Sequence, residues 1–425
     1  MDVNGDRHTQ RIFQILANGS RGCCANRGKE TGVRSMRVLV VPLPYPTHLM
    51  AMVPLCWALQ ASGHEVLIAA PPELQATAHG AGLTTAGIRG NDRTGDTGGT
   101  TQLRFPNPAF GQRDTEAGRQ LWEQTASNVA QSSLDQLPEY LRLAEAWRPS
   151  VLLVDVCALI GRVLGGLLDL PVVLHRWGVD PTAGPFSDRA HELLDPVCRH
   201  HGLTGLPTPE LILDPCPPSL QASDAPQGAP VQYVPYNGSG AFPAWGAART
   251  SARRVCICMG RMVLNATGPA PLLRAVAAAT ELPGVEAVIA VPPEHRALLT
   301  DLPDNARIAE SVPLNLFLRT CELVICAGGS GTAFTATRLG IPQLVLPQYF
   351  DQFDYARNLA AAGAGICLPD EQAQSDHEQF TDSIATVLGD TGFAAAAIKL
   401  SDEITAMPHP AALVRTLENT AAIRA

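Results

Sequence analysis

Short apolar runs alternate with stretches of helical period along the chain from Met36 onward. Arg37–Val41 reads as a buried strand, Pro42–Thr47 as a loop, His48–Ser62 as a helix stopped by Gly63, and Glu65–Ala69 as a second strand. A strand, a helix and a strand in that order imply a parallel sheet. Further on, the pattern predicts a helix over Glu116–Ala146, a buried strand at Val151–Asp155, a helix over Gly161–Leu168 and a strand at Val172–Leu174. Arg89–Thr101, polar and rich in Gly and Thr, reads as a mobile surface loop.

Composition then shifts. Pro209, Pro215, Pro217, Pro218, Pro226, Pro230, Pro235 and Pro243 crowd the span from Thr208 to Trp245, which reads as an extended connection. A second α/β series follows: strand Val255–Met259, a helix around Ala270–Ala279, and strands Ala287–Val291 and Leu323–Ile325. Helix Ala333–Leu339, strand Gln343–Leu346 and helix Gln352–Ala362 complete it. The expected architecture is two doubly wound, Rossmann-like units whose strand ends face a shared cleft, where open α/β sheets bind ligands. Met1–Ser35 shows neither this periodicity nor the apolar core of a signal peptide. It reads as an extension outside the fold, with Met36 the favoured start of translation.

A length of 425 residues suits two such units, and the net charge of −9 without a basic stripe argues against a nucleic-acid partner. The apolar runs fall far short of a membrane span, so no membrane partner is expected. Eleven cysteines invite a disulfide or zinc reading. However, Cys56, Cys157, Cys256, Cys258 and Cys367 sit inside apolar runs, Cys23 and Cys24 are adjacent, and no spaced CxxC pairs occur. Reduced thiols in a cytoplasmic setting are the simpler expectation.

The most informative segment is Cys321–Leu368. A strand (ELVICA) leads into Gly328-Gly329-Ser330-Gly331-Thr332, a helix, and then IPQLVLPQYFDQFDYARNLAAAGAGICL. A Gly-rich turn at a helix start leaves backbone N–H groups free for a diphosphate, although a ligand-free tight turn is about as common. Asp351 and Gln352 follow the next strand and so share the rim with that turn. A carboxylate and an amide beside an anion pocket suit vicinal sugar hydroxyls.

This stretch resembles the signature of the inverting sugar-nucleotide glycosyltransferases of the two-domain GT-B fold, in the branch that decorates macrolides and other bacterial polyketides. The opening MRVLVVPLPYPTHLMAMVPLCWALQASGHEVLIAAPPEL, YVPYNGSG (Tyr233–Gly240) and EITAMPHPAALVRTLE (Glu403–Glu418) are similar to the same family, so the resemblance runs from Met36 to the C-terminus. It implies an N-terminal acceptor-binding domain over 36–230, a linker over 231–250 and a nucleotide-sugar domain over 251–405. A C-terminal helix, 406–425, is expected to return to the first domain. It also implies a dTDP-deoxysugar donor, with dTDP-L-rhamnose the expectation, and a tetracyclic macrolide aglycone as acceptor. No cofactor and no metal are implied; a homodimer stays open. Family members usually carry histidine directly before the glycines, where this chain has Cys326-Ala327. That shifts the diphosphate onto backbone N–H groups of Gly329, Ser330, Gly331 and Thr332. The loop Gly260-Arg261 offers a guanidinium for phosphate, and backbone groups around Val312 fall to the base.

His48 is the leading general base, because transfer to a hydroxyl needs one near the acceptor oxygen. From position alone, an idle helix-start histidine is an equal reading; the resemblance weights it towards catalysis. A helix N-terminus favours the neutral imidazole a base needs. Asp155 either orients His48 or caps a turn, and stays outside the catalytic set. Asp351 is compatible with both a sugar contact and a helix N-cap. Asn237 either touches a ligand or makes an Asn-Gly turn. His175-Arg176-Trp177 reads as packing more than as an acceptor wall, and His64 as a cap or a solvent-facing residue. The apolar stretch Leu49–Leu59 suits a hydrophobic acceptor. Rival readings are a sugar-nucleotide epimerase of the same shape and a non-catalytic sugar-nucleotide-binding helper.

Overall fold

The computed structural model describes residues 35–89, 105–246 and 251–424; the segment before Ser35 and the Arg89–Thr101 loop beyond Arg89 lie outside the described residues. The first half runs β1 (Arg37–Val41), α1 (Pro46–Ala61), β2 (Glu65–Ala70), α2 (Pro72–Gly80), β3 (Thr84–Gly87), α3 (Glu116–Trp147), β4 (Val151–Asp155), α4 (Leu159–Leu168), β5 (Val172–His175), α5 (Pro185–His200), β6 (Leu211–Asp214) and β7 (Ala229–Pro230). The second runs β8 (Arg253–Cys258), α6 (Arg261–Thr267), α7 (Ala270–Glu281), β9 (Val285–Val291), β10 (Ala306–Glu310), β11 (Leu323–Cys326), α8 (Ser330–Arg338), β12 (Gln343–Val345), α9 (Gln352–Ala361) and β13 (Gly365–Cys367). Helices α10 (Glu371–Ser375), α11 (His377–Gly389), α12 (Thr391–Ala406) and α13 (Val414–Ala421) close the chain.

Both sheets are parallel throughout, ordered β3-β2-β1-β4-β5-β6-β7 and β10-β9-β8-β11-β12-β13. Strand order therefore reverses between β1 and β4 in one sheet and between β8 and β11 in the other. At each reversal the loops after the two strands diverge to opposite faces, and a crevice opens at the carboxyl edge.

Two departures from the sequence reading have physical causes. The Pro-rich span is not wholly a connection: β6 and β7 lie inside it and extend the first sheet to Pro230, an edge where a missing N–H is tolerated. Helix α1 begins at Pro46, whose fixed φ suits a first helical position, so His48 sits within the first turn. Helix α8 likewise starts at Ser330 rather than Ala333, which makes Ser330–Thr332 its first turn.

One face of the first sheet packs Val38, Val40, Ile68 and Leu153 against Leu49, Met52 and Leu55 of α1 and Leu413 and Leu417 beside α13. Leu49, residues 52–56 and Leu59 are thus core and form no acceptor wall, while Trp57 of the same stretch is exposed. The opposite face packs on α3, α4 and α5, and its cluster continues into the second sheet through Phe110, Trp122, Tyr349, Phe350 and Phe353. Polar contacts stitch the same seam: Arg113 bridges Asp354 at 2.9 Å and Asp224 at 3.2 Å, and Asn107 N–H donates to the Gln348 carbonyl at 2.9 Å.

His64 does not face water. It is buried, its Nδ1 accepts the Met36 N–H at 3.2 Å, and its Nε2–H donates to Glu418 of α13 at 3.2 Å. One neutral tautomer satisfies both contacts and pins the C-terminal helix to β1. Replacing His64 by alanine orphans a buried N–H and a carboxylate, so chemical denaturation should show a loss of about 1–3 kcal/mol. Nucleotide binding should be unchanged; an unaltered midpoint would show that α13 is held by apolar packing alone.

Candidate active site

The first switch point carries His48 and Asp155. Asp155 ends β4 beside β1, and α1 starts from the loop after β1, so the two side chains converge. His48 Nδ1–H donates to Asp155 Oδ2 at 2.8 Å, while Asp155 Oδ1 accepts the Cys157 N–H at 2.9 Å. The carboxylate is 1% exposed and the imidazole 13%. An acceptor on Nδ1–H fixes the tautomer and leaves Nε2 as the basic atom. Asp155, which the sequence left between two roles, is thus the partner of His48.

His175 is elsewhere engaged. It is buried and donates from Nδ1 to the Arg176 carbonyl at 2.6 Å. Burial pushes its pKa down to about 4, which suits packing rather than proton transfer. Arg176 is also buried, forked between Asp180 and Asp214 at 2.6 Å each, and it braces the loop after β5.

Trp177 is the residue that the sequence undervalued. Its ring lies 4.2 Å from the His48 imidazole, centroid to centroid, and its Nε1–H donates to Asp351 Oδ2 at 3.2 Å. Asp351 is the N-cap of α9, but its side chain caps no N–H. Burial raises its pKa to about 6 against the opposing pull of the Trp177 N–H and His48. The neighbouring Gln352 side-chain Oε1 accepts the N–H groups of Gln348 and Tyr349 at 2.9 and 3.3 Å, which shapes the loop before α9.

At the second switch point, Gly328 takes φ +85° and Gly329 leads into α8. Among the described residues no carbonyl takes the N–H of Gly329, Ser330 or Gly331, so three donors and the positive helix end face the cleft. Thr332 does not join them: its N–H bonds the Gly329 carbonyl at 3.1 Å, and its hydroxyl lies 3.4 Å from Cys258 Sγ. Arg261 is also committed, paired with Glu294 at 2.5 Å on the surface after Gly260. Val312 follows Ser311, which is left-handed at φ 52°, on the rim beyond β10. Asn237 donates to the Gly331 carbonyl at 3.1 Å and to Thr335 Oγ1 at 3.0 Å and accepts the Asn315 N–H at 3.2 Å. It staples the connection onto the first turn of α8.

A cavity of about 470 Å³ opens beside β4 and β5, lined by Val156, Leu159, Leu174, Phe186, Asp180 and Thr182 among others. Among the described residues no group of three or more His, Cys, Asp or Glu is placed to hold a metal ion, and no single helix is long and apolar enough to cross a membrane. The nine described cysteines are free; burial pushes Cys326 up to about 12, so it is an inert filler before the glycines.

The raised Asp351 pKa has a measurable consequence. The folded state holds its proton up to about pH 6, whereas an unfolded carboxyl loses it near 3.8. Stability contributed by this group is complete below the lower value and lost as pH rises through the higher one. Asp351→Asn, which keeps an acceptor for Trp177, should match wild-type melting near pH 4 and exceed it above pH 6. A constant difference across that range would mean that the carboxyl pays no burial cost.

The chain matches two family models, the erythromycin biosynthesis protein CIII-like N-terminal domain over residues 57–260 and the corresponding C-terminal domain over 274–420. It is 36% identical over 385 residues to L-demethylnoviosyl transferase of Streptomyces niveus, covering 90% of this chain and 97% of that one. It is 30% identical over 430 residues to tylactone mycaminosyltransferase of Streptomyces fradiae, covering 92% and 94%. Among solved structures, the spinosyn rhamnosyltransferase SpnG superposes with a TM-score of 0.87 at 97% identity, covering 90% of this chain and 100% of that one. The same enzyme complexed with thymidine diphosphate, and complexed with spinosyn aglycone, each gives 0.86 at 96% identity with the same coverage.

Proposed function

Because the chain belongs to the erythromycin biosynthesis protein CIII-like glycosyltransferases and has their GT-B architecture, we propose that it moves L-rhamnose from dTDP-L-rhamnose onto a hydroxyl of a spinosyn-type macrolide aglycone, with inversion. The observation that carries the chemistry is the His48–Asp155 pair at the first switch point, joined through Trp177 to Asp351, which follows β12 of the second sheet. The donor and acceptor follow the relatives, whose complexes hold thymidine diphosphate and an aglycone. The reading assigns 36–230 to the acceptor, 251–405 to the donor, 231–250 to the linker and 406–425 to a segment serving the first domain. Free thiols suit the cytoplasm it implies.

In this mechanism the acceptor hydroxyl donates to His48 Nε2. Its oxygen attacks the anomeric carbon from the face opposite the diphosphate, the bond from that carbon to the phosphate oxygen breaks, and the electron pair leaves with dTDP. The proton ends on His48, and Asp155 stabilises the imidazolium without taking the proton. The N–H groups of Gly329, Ser330 and Gly331, with the α8 dipole, receive the charge that grows on the diphosphate. Asp351 and Gln352 hold sugar hydroxyls, and backbone near Val312 meets the base. The cavity beyond Val156 supplies apolar surface for a macrocycle, a need that neither epimerisation nor mere donor binding would create.

A positioned base contributes about 10²–10⁴-fold. His48→Ala and His48→Asn should therefore each lower kcat by at least the smaller factor, with dTDP affinity unchanged. Asp155→Asn, which removes the tautomer lock, should cost about 10–100-fold. Near-normal turnover in His48→Ala would show that another group takes the proton and would overturn the assignment.

A further inference from the structure

Trp177 stands between the two halves of the chemistry, and its place is over-determined. Arg176 before it is buried and locked by Asp180, Asp214 and the Pro226 carbonyl. Gly178 after it lies so close to α8 that a Cβ there would come within 2.9 Å of Phe334 and 3.2 Å of Ser330. The indole between them is 6% exposed and has little freedom. Its ring packs on the general base, and its single polar atom points at the donor-side carboxylate.

Resting on the transferase reading above, we infer that Trp177 is a positioning residue that holds Asp351 and His48 in register, so that the sugar hydroxyls grasped by Asp351 place the anomeric carbon opposite the oxygen activated by His48. Its N–H engages one oxygen of the carboxylate and leaves the other for the sugar. That fixes the rotamer before the donor arrives, a preorganisation that a freely turning carboxylate would lack. Its ring face limits the swing of the imidazole, whose Nδ1 is already tethered to Asp155. The ionisable groups bearing on Asp351 are His48 of α1, Asp354 of its own helix, Cys157 after β4 and Tyr349 before α9. None of them donates a hydrogen bond to both centres.

Trp177→Phe keeps the ring and deletes the N–H; Trp177→Leu removes both. In Trp177→Phe the affinity for dTDP should stay as in wild type, while the ratio of dTDP-L-rhamnose to dTDP affinity falls about 10-fold, the scale of one hydrogen bond to a charged group. Combining it with Asp351→Asn should cost no more than Asp351→Asn alone. Trp177→Leu should in addition lower kcat further than Trp177→Phe does. An independent measurement needs no Trp177 variant. With 5-fluorotryptophan in the chain, one of the five indole resonances should titrate with a midpoint near pH 6 and shift with dTDP-L-rhamnose. Asp351→Asn should abolish that titration. An unchanged affinity ratio in Trp177→Phe, an equal loss for both ligands, or no resonance that senses Asp351 would overturn the inference. A wild-type enzyme that transfers no rhamnose would instead overturn the donor assignment and leave the indole spectrum to decide the geometry.

Discussion

Gly178 and Ser330 belong to opposite halves of the chain, yet the loop after β5 comes so close to the first turn of α8 that a Cβ at 178 would crowd Phe334 at 2.9 Å and Ser330 at 3.2 Å. Gly331 lies on the other side of the same approach, in ordinary van der Waals range of Thr47 of α1, which a Cβ there would meet at 3.7 Å. Two helix N-termini are thereby aimed at one space, each following the inner strand of its own sheet's reversal. The remaining geometry depends on that approach. Gly178 lets the backbone beside Trp177 close on α8, and Trp177 reaches Asp351 across the same approach.

Holding such a cleft closed takes buried charge, and the structure pairs most of it. Arg176 is matched by two carboxylates, and Asp354 is held by Arg113 and Arg357. These pairs are costly to desolvate and cost more to break than they yield on forming, so they fix geometry rather than supply stability. Asp351 is less well matched: among the described residues its carboxylate takes a side-chain hydrogen bond from the Trp177 N–H alone, and burial raises its pKa. A carboxylate so sparsely paired marks a place where a ligand completes the hydrogen bonding.

Most of the fold was legible because parallel strands buried on both faces leave uniform apolar runs, as in β4 and β11. What escaped were mainly short or polar strands near the edges: β3, with two threonines and a glycine, β7 with its proline and β13 with three residues show no period, and β6 and β10 were missed as well. His48 and Asp351 were legible as residues beside strand ends. Their linkage was not, because Trp177 meets them across 129 and 174 positions of chain, and no local pattern encodes such contacts. Thr332 misled for the same reason, because the helix's first turn took its N–H.

The residues before the glycines complete the electrostatic logic. Cys326 and Ala327 are buried at the end of β11, and the thiol is turned towards Gln343 Oε1 at 3.6 Å. Neither side chain can lend a charge to a diphosphate. On the proposed mechanism the leaving group meets neutral donors, Gly329, Ser330 and Gly331, whose dipoles are fixed by α8 whether or not a ligand is present. Fixed dipoles stabilise developing charge without reorganising, which is where catalytic advantage lies. A full positive charge in the same place would bind ground-state donor and released dTDP as firmly as the transition state, and uniform binding of that kind does not raise kcat. On the proposed mechanism the division of labour follows: neutral amides receive the charge, one sparsely paired carboxylate reads the sugar, and one tethered imidazole takes the proton.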